Sequence, residues 1–199
     1  MSGARMSAKE ALAAVHRTRS EDAIVVTTMA TSRDWMTMPQ RPLDMVFVPS
    51  AMGHATSLGL GLALAQPDRR VIVCNGDGSM LMNLGSLVSI VGAGATNLVV
   101  LLFDNGVYEV TGAQPTPASN AVDFATIARG TGFCSVYGFD ALDAWRAQIG
   151  EVLAAPGPVF AWLRVAPVTG IPGPKSPGPA ADRARGFMRE AGRGKREVG

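Results

Sequence analysis

Residues 70–106 read RVIVCNGDGSMLMNLGSLVSIVGAGATNLVVLLFDNG, and their order decides the fold. Two apolar runs rich in β-branched residues, Arg70–Asn75 and Leu98–Phe103, flank a helix-like stretch from Met80 to Val91 that Gly92-Ala-Gly94 breaks. Neither run alternates polar with apolar, which is the pattern of strands buried on both faces of a parallel sheet. Strand, helix and strand at this length form a βαβ unit, because parallel neighbours need a crossover. Each run ends in a polar tip, Gly76-Asp-Gly-Ser79 after the first and Asp104-Asn-Gly106 after the second.

The same alternation continues outward in both directions. Ser7 stands as an N-cap before Ala11, Leu12 and Val15 at helical spacing, predicting a helix over Ala8–Thr18. A short strand follows at Ala23–Thr28, then a polar loop over Thr31–Leu43 and a strand at Met45–Val48. The small-residue stretch Gly53–Gln66 suits a helix packed closely on a sheet or a ligand, ended by Pro67-Asp68. Beyond the βαβ unit come a helix near Asp123–Arg129, a strand at Cys134–Tyr137, a helix over Ala141–Leu153 and a last strand at Pro158–Val165. The predicted class is α/β, a three-layer doubly wound parallel sheet with helices on both faces.

Residues 166–179 hold five of the 13 prolines, an extended strap by composition, and Ala180–Ala191 is a candidate terminal helix. The expected division is therefore a domain over 1–165 and a strap with a basic tail over 166–199. The chain has 199 residues, room for about one domain. With 47% hydrophobic and 17% charged residues it can bury a sizeable core. Its net charge of +2 comes from the tail, since residues 171–199 carry +4 and residues 1–170 carry −2. Without a recognition motif, that tail reads as a solvated segment or a docking helix, not as a nucleic-acid contact. No apolar run is long enough for a membrane span or a secretory signal, and the expected location is cytoplasmic. Cys74 and Cys134 form no CxxC unit, leaving no cysteine-based zinc or iron–sulfur site.

Ligands in open parallel sheets sit at the carboxyl ends of strands, where the βαβ unit brings Asp77 and Asn105 together. A carboxylate and an amide oxygen are hard donors suited to Mg²⁺, whose octahedral shell is completed by phosphate oxygens and water. Gly78 allows close backbone approach, and the Gly78 and Ser79 amides at a helix start suit a diphosphate.

GDGS, a helix, a buried strand and DNG at this spacing resemble the thiamine-diphosphate-binding motif of thiamine-dependent enzymes. Ser50-Ala-Met-Gly-His-Ala55 and GLGLAL resemble their PP domain, the half that binds the diphosphate. The wording SAMGHATSLGLGLAL, GDGSMLMNLGSL and DNGVYEVTGAQPT is most similar to the phosphonopyruvate and sulfopyruvate decarboxylases, over roughly residues 8–165. The resemblance implies thiamine diphosphate as cofactor, with Mg²⁺ held by the side chains of Asp77 and Asn105 and the carbonyl of Val107. It further implies that Gly78 and Ser79 contact the diphosphate, that Met52 is the apolar wedge on which the cofactor bends, and that the Ser50 carbonyl accepts from its 4′-amino group. Gly53, Gly76 and Tyr108 fall within the matched motifs and carry over as cofactor-binding positions.

Three positions stay open. Glu109 stands where many relatives have a small residue and either brings a carboxylate near the substrate or faces solvent, the commoner outcome. His54 is either a structural hydrogen-bonder or an acid or base. Ala113 replaces a more polar or small residue and leaves the choice of 2-oxo acid undetermined.

The activating glutamate of the family belongs to a separate PYR half, and no matching position occurs in these 199 residues. The resemblance therefore implies the PP subunit of a split decarboxylase acting on a small anionic 2-oxo acid, its site completed by a PYR-domain partner in a hetero-oligomer. The reaction it implies is cofactor-borne covalent catalysis, with loss of CO₂ and release of an aldehyde. The alternatives are a thiamine-diphosphate-binding subunit of a 2-oxoacid oxidoreductase and a non-catalytic cofactor-binding module.

Overall fold

The computed structural model describes residues 5–47, 52–117, 119, 121–168, 170 and 176–193. In chain order its elements are α1 (Ala8–Thr18), β1 (Ile24–Thr28), α2 (Ala30–Trp35), β2 (Asp44–Phe47), α3 (Ala55–Ala65), β3 (Val71–Gly76), α4 (Asp77–Leu81), α5 (Gly85–Gly92) and β4 (Leu98–Asp104). Then come β5 (Val107–Tyr108), a 3₁₀ turn (Glu109–Thr111), β6 (Gln114–Pro115), α6 (Phe124–Thr131), β7 (Ser135–Phe139), α7 (Leu142–Ala154), β8 (Val159–Arg164) and α8 (Ala180–Ala191).

Six strands form one parallel sheet in the order β2-β1-β3-β4-β8-β7, while β5 and β6 make a separate antiparallel ribbon. The continuous apolar runs of β3 and β4 lie at its centre because both of their faces must be covered. On one face Ile72, Cys74, Val99 and Leu101 pack against α1, α2 and α7 through Leu12, Trp35 and Trp145. On the other, Val71, Val73, Val100 and Leu102 meet α3, α4, α5 and α6 through Ala63, Met80, Leu87, Ile90 and Phe124. These two cores make the three-layer, doubly wound fold expected from the sequence. In α3 the close approach is to the sheet, since a Cβ on Gly59 would stand 2.2 Å from Val73 Cγ2.

Helix α8 joins the second core through Phe187 and Ala191, and Arg183 donates from Nη1 to the Val46 carbonyl at 2.5 Å. Residues 180–191 thus dock beside the edge strand β2. Among the described residues no helix is long and apolar enough to cross a membrane.

Two expectations need correction, and one element is new. The polar loop over Thr31–Leu43 contains α2, which shows no helical hydrophobic period and is anchored by the buried Trp35. The single helix over Met80–Val91 is two helices, α4 and α5, separated by a turn in which Asn83 N–H bonds the Met80 carbonyl. The Asn83 side chain donates to the Gly53 carbonyl at 2.9 Å and to Ser57 Oγ at 3.2 Å, so the break ties the loop before α3 to the loop after α4. The ribbon β5–β6, unforeseen in the sequence, folds back so that Thr116 N–H reaches the Gly106 carbonyl.

Candidate cofactor and metal site

Chain reversal in the sheet places the switch between β1 and β3, since β2 lies outside β1 on one side and β3, β4 follow on the other. Such switch points open a crevice at the carboxyl ends of the strands. A cavity of about 310 Å³ lies there, lined from the end of β1 (Thr28), the β3–α4 junction (Gly76 to Ser79), the end of β4 (Asn105) and the ribbon (Val107 and Tyr108).

Asp77 is 2% exposed. Its Oδ2 accepts from Thr116 Oγ1 at 3.1 Å, and the backbone N–H groups of Gly78 and Asn105 also bond its carboxylate. Burial pushes its pKa up to about 6 from an ordinary 3.8, the negative charge of Asp104 adds to the rise, and the three hydrogen bonds oppose it.

Asn105 lies at the corner after β4, and its Oδ1 accepts the Val107 N–H at 2.9 Å. An amide oxygen has two lone pairs, so one remains to ligate. The corner is fixed from outside as well, with Arg5 Nη1 donating to the Asn105 carbonyl at 3.3 Å. Gly106 adopts φ +76, a conformation that suits glycine and aims the following residue back across the strand end.

Gly78 also serves a close approach within the protein itself. A Cβ there would stand 2.6 Å from two carbons of the Tyr108 ring, so the ring seals this turn. Gly78→Ala is expected to push Tyr108 and β5 outward, costing ~1–3 kcal/mol, the usual range for overpacking. Denaturant unfolding checks this; a parental midpoint would mean that the ring swings aside freely.

Ser79 Oγ accepts the Gly53 N–H at 3.0 Å, leaving its own proton to donate. Gly53 itself sits at φ +80 with its would-be Cβ 3.2 Å from Met82 Cβ, so glycine is required in this turn. The cavity thus gathers Met52, Gly76, Asp77, Gly78, Ser79, Asn105, Val107, Tyr108 and Glu109, with Gly53 tied on through Ser79. Ser50 lies outside the described residues.

Glu109 lies in the cavity wall, partly exposed, and its Oε1 accepts the Val168 N–H at 2.7 Å. His54 is exposed, begins α3 without a side-chain cap bond and does not line the cavity. Sequence reasoning missed Thr28, which lines the cavity fully buried, its Oγ1 lacking a hydrogen-bond partner. Beside it Thr31 Oγ1 accepts the Thr28 N–H at 3.2 Å and lies 2.9 Å from the Cys74 carbonyl, pinning β1 to β3. The paired threonines ending β1 were a signal only once β1 was known to neighbour β3.

These donors suit a dication that brings further ligands of its own. Among the described residues no group of three or more His, Cys, Asp or Glu is arranged to hold a metal. One buried carboxylate, one amide oxygen and a nearby carbonyl leave positions for phosphate oxygens and water, as Mg²⁺ prefers. The repulsion between Asp77 and Asp104 is the kind that a divalent cation relieves. The orphaned Thr28 hydroxyl lies buried in a residue of the same cavity wall.

Residues 24–161 match the family described as thiamine pyrophosphate enzyme, C-terminal TPP binding domain. The chain belongs to that family. It is 40% identical over 148 residues to the sulfopyruvate decarboxylase subunit beta of Methanothermobacter thermautotrophicus, covering 74% of this chain and 76% of that one. It is also 40% identical over 169 residues to a phosphonopyruvate decarboxylase of Streptomyces viridochromogenes, covering 83% of this chain but only 42% of the relative. A solved structure from Mycobacterium smegmatis, described as thiamin diphosphate-dependent, superposes with a TM-score of 0.71 at 21% identity, over 83% of this chain and 32% of that one. The structural likeness speaks for the fold alone.

Proposed function

We propose that this chain is the diphosphate-binding subunit of a thiamine-diphosphate-dependent 2-oxo acid decarboxylase of the sulfopyruvate or phosphonopyruvate type. Its site is completed by a PYR-domain partner that carries the activating glutamate. The observation that carries the reading is the buried Asp77 beside Asn105, at the ends of two adjacent strands and open to one cavity. Family membership and the two decarboxylase relatives support it.

In this reading Asp77 and Asn105 hold Mg²⁺ by their side chains and Val107 by its carbonyl. Gly78 and Ser79 line the diphosphate, and the Thr28 hydroxyl donates to it. Gly76 presents no side chain at the cavity floor, and Tyr108 closes the turn over Gly78. Bound thiamine diphosphate supplies the electron sink that lets CO₂ leave a 2-oxo acid. Glu109, held by Val168, places a carboxylate on the substrate side of the wall, whereas His54 takes no part.

Met52 is 38% exposed while lining the cavity, so it is wall and not core. Met52→Ala is expected to reduce turnover more than cofactor affinity and to cost little stability, because a half-open site leaves no sealed void. Steady-state kinetics beside calorimetry of cofactor binding checks the split; equal parental values for both would remove Met52 from the site.

The reading is tested by CO₂ release from sulfopyruvate, phosphonopyruvate and simpler 2-oxo acids, with Mg²⁺, thiamine diphosphate and the partner. Turnover of one of these acids is the expected result. Cofactor binding without turnover of any of them would refute the decarboxylase assignment.

A further inference from the structure

Asp104 ends β4 immediately before Asn105, and both of its carboxylate oxygens are engaged. Oδ1 accepts the Gly106 N–H at 3.1 Å, and Oδ2 accepts the Trp162 Nε1–H at 2.9 Å. Trp162 comes from the neighbouring strand β8, where Asp104 is in register with Arg164. Its indole is itself held, with the Phe124 ring edge-on at 6.1 Å and the Arg164 guanidinium 4.9 Å from its ring centroid. Arg164 is fixed in turn by Asp140, with Nη2 donating to Oδ2 at 2.6 Å. A chain of contacts therefore runs from the sheet edge at β7 to the corner that carries Asn105.

We propose that Asp104 is a positioning residue for the divalent cation, held in place by Trp162, and that the Trp162 indole senses cation binding through it. The inference rests on the cofactor reading above. Held by Gly106 N–H on one oxygen and Trp162 Nε1–H on the other, Asp104 acts in two ways other than as a ligand. Its hydrogen bond to Gly106 sets the turn that presents Asn105 and Val107. Its charge lies close enough to Asp77 to repel it, and a dication between the strand ends converts that repulsion into attraction. Partners one shell out from a metal contribute in this manner, and their loss weakens metal binding by about 10- to 100-fold.

The test is Mn²⁺ binding to the full chain together with its PYR-type partner, in the presence of thiamine diphosphate, followed by electron paramagnetic resonance and by tryptophan emission. Asp104→Asn keeps the shape but removes the charge and one of the two acceptor contacts. It is expected to weaken Mn²⁺ binding at least about 10-fold. Trp162→Phe keeps the charge and the ring packing but loses the N–H donor, so binding should weaken to a lesser degree and the metal-dependent change in emission should vanish. Trp35 and Trp145 are buried in the opposite layer, which is why the signal is assigned to Trp162.

A merely structural role would lower the thermal midpoint of the metal-free variants and leave Mn²⁺ affinity untouched, and that result overturns the proposal. So does an emission change that survives in Trp162→Phe. Asp77→Ala separates the two readings. If it loses Mn²⁺ while Asp104→Asn does not, only the positioning role fails; if the parent chain binds no Mn²⁺, the cofactor reading fails and this inference with it.

Discussion

Asp77→Ala is expected to abolish metal-dependent thiamine diphosphate binding, a loss greater than the ~10- to 100-fold typical of partners one shell further out. The carboxylate is the only charged ligand in the proposed set, and Mg²⁺ gives up its water reluctantly without one. The same residue burdens the metal-free fold. Because burial raises its pKa to about 6 from 3.8, the folded chain holds that proton more tightly than the unfolded chain does. The metal-free protein is therefore most stable, in this respect, below pH 3.8 and loses that contribution as pH rises to about 6. Asp77→Asn, which keeps an acceptor for Thr116, should melt at or above the parent at pH 7.5 without metal, and the advantage should shrink toward pH 4. Calorimetric titration with Mg²⁺ and thiamine diphosphate, beside thermal melts at both pH values, checks both halves. Unchanged cofactor affinity would remove Asp77 from the site.

Supplied alone, the chain is expected to be inactive, with decarboxylation appearing only when a PYR-type polypeptide is present. The cavity is lined in part by the exposed methionines Met52 (38%) and Met82 (50%). Exposed apolar side chains at a site mouth usually mark an interface. One relative, 76% of which this chain covers, is named as a beta subunit, which agrees with that expectation. Size-exclusion chromatography with light scattering should show self-association or poor recovery of the lone chain and a stable hetero-oligomer on coexpression. Full turnover by the lone chain would contradict the split-site reading.

The parts of the fold that could be seen in the sequence are those where one segment alone carries the signal. Strands β3 and β4 announce themselves as unbroken apolar runs, and their adjacency follows from the short crossover between them, so Asp77 and Asn105 could be paired before any strand order was known. Thr28 could not, because its place in the cavity depends on β1 lying beside β3, a neighbour fixed by two crossovers and not by local pattern. Glu109 depends on the β5–β6 ribbon, whose strands of two residues each carry no periodicity. Helix α2 hid for a similar reason, with one buried tryptophan and no repeating apolar face. The break between α4 and α5 is visible only through Asn83, whose side chain reaches across to Gly53 and Ser57. Gly78 reads in the sequence as a close approach to a phosphate, and the Tyr108 ring that packs against it inside the protein is a contact no local pattern announces.

The most direct test of the central claim is a crystal structure of the chain, with its partner, soaked in Mg²⁺ and thiamine diphosphate. The account predicts a cation ~2.0–2.1 Å from an Asp77 carboxylate oxygen, Asn105 Oδ1 and the Val107 carbonyl, sharing diphosphate oxygens, with the diphosphate against Gly78, Ser79 and Thr28. A cofactor bound elsewhere on the chain, or a cation that leaves Asp77 and Asn105 unligated, would contradict it.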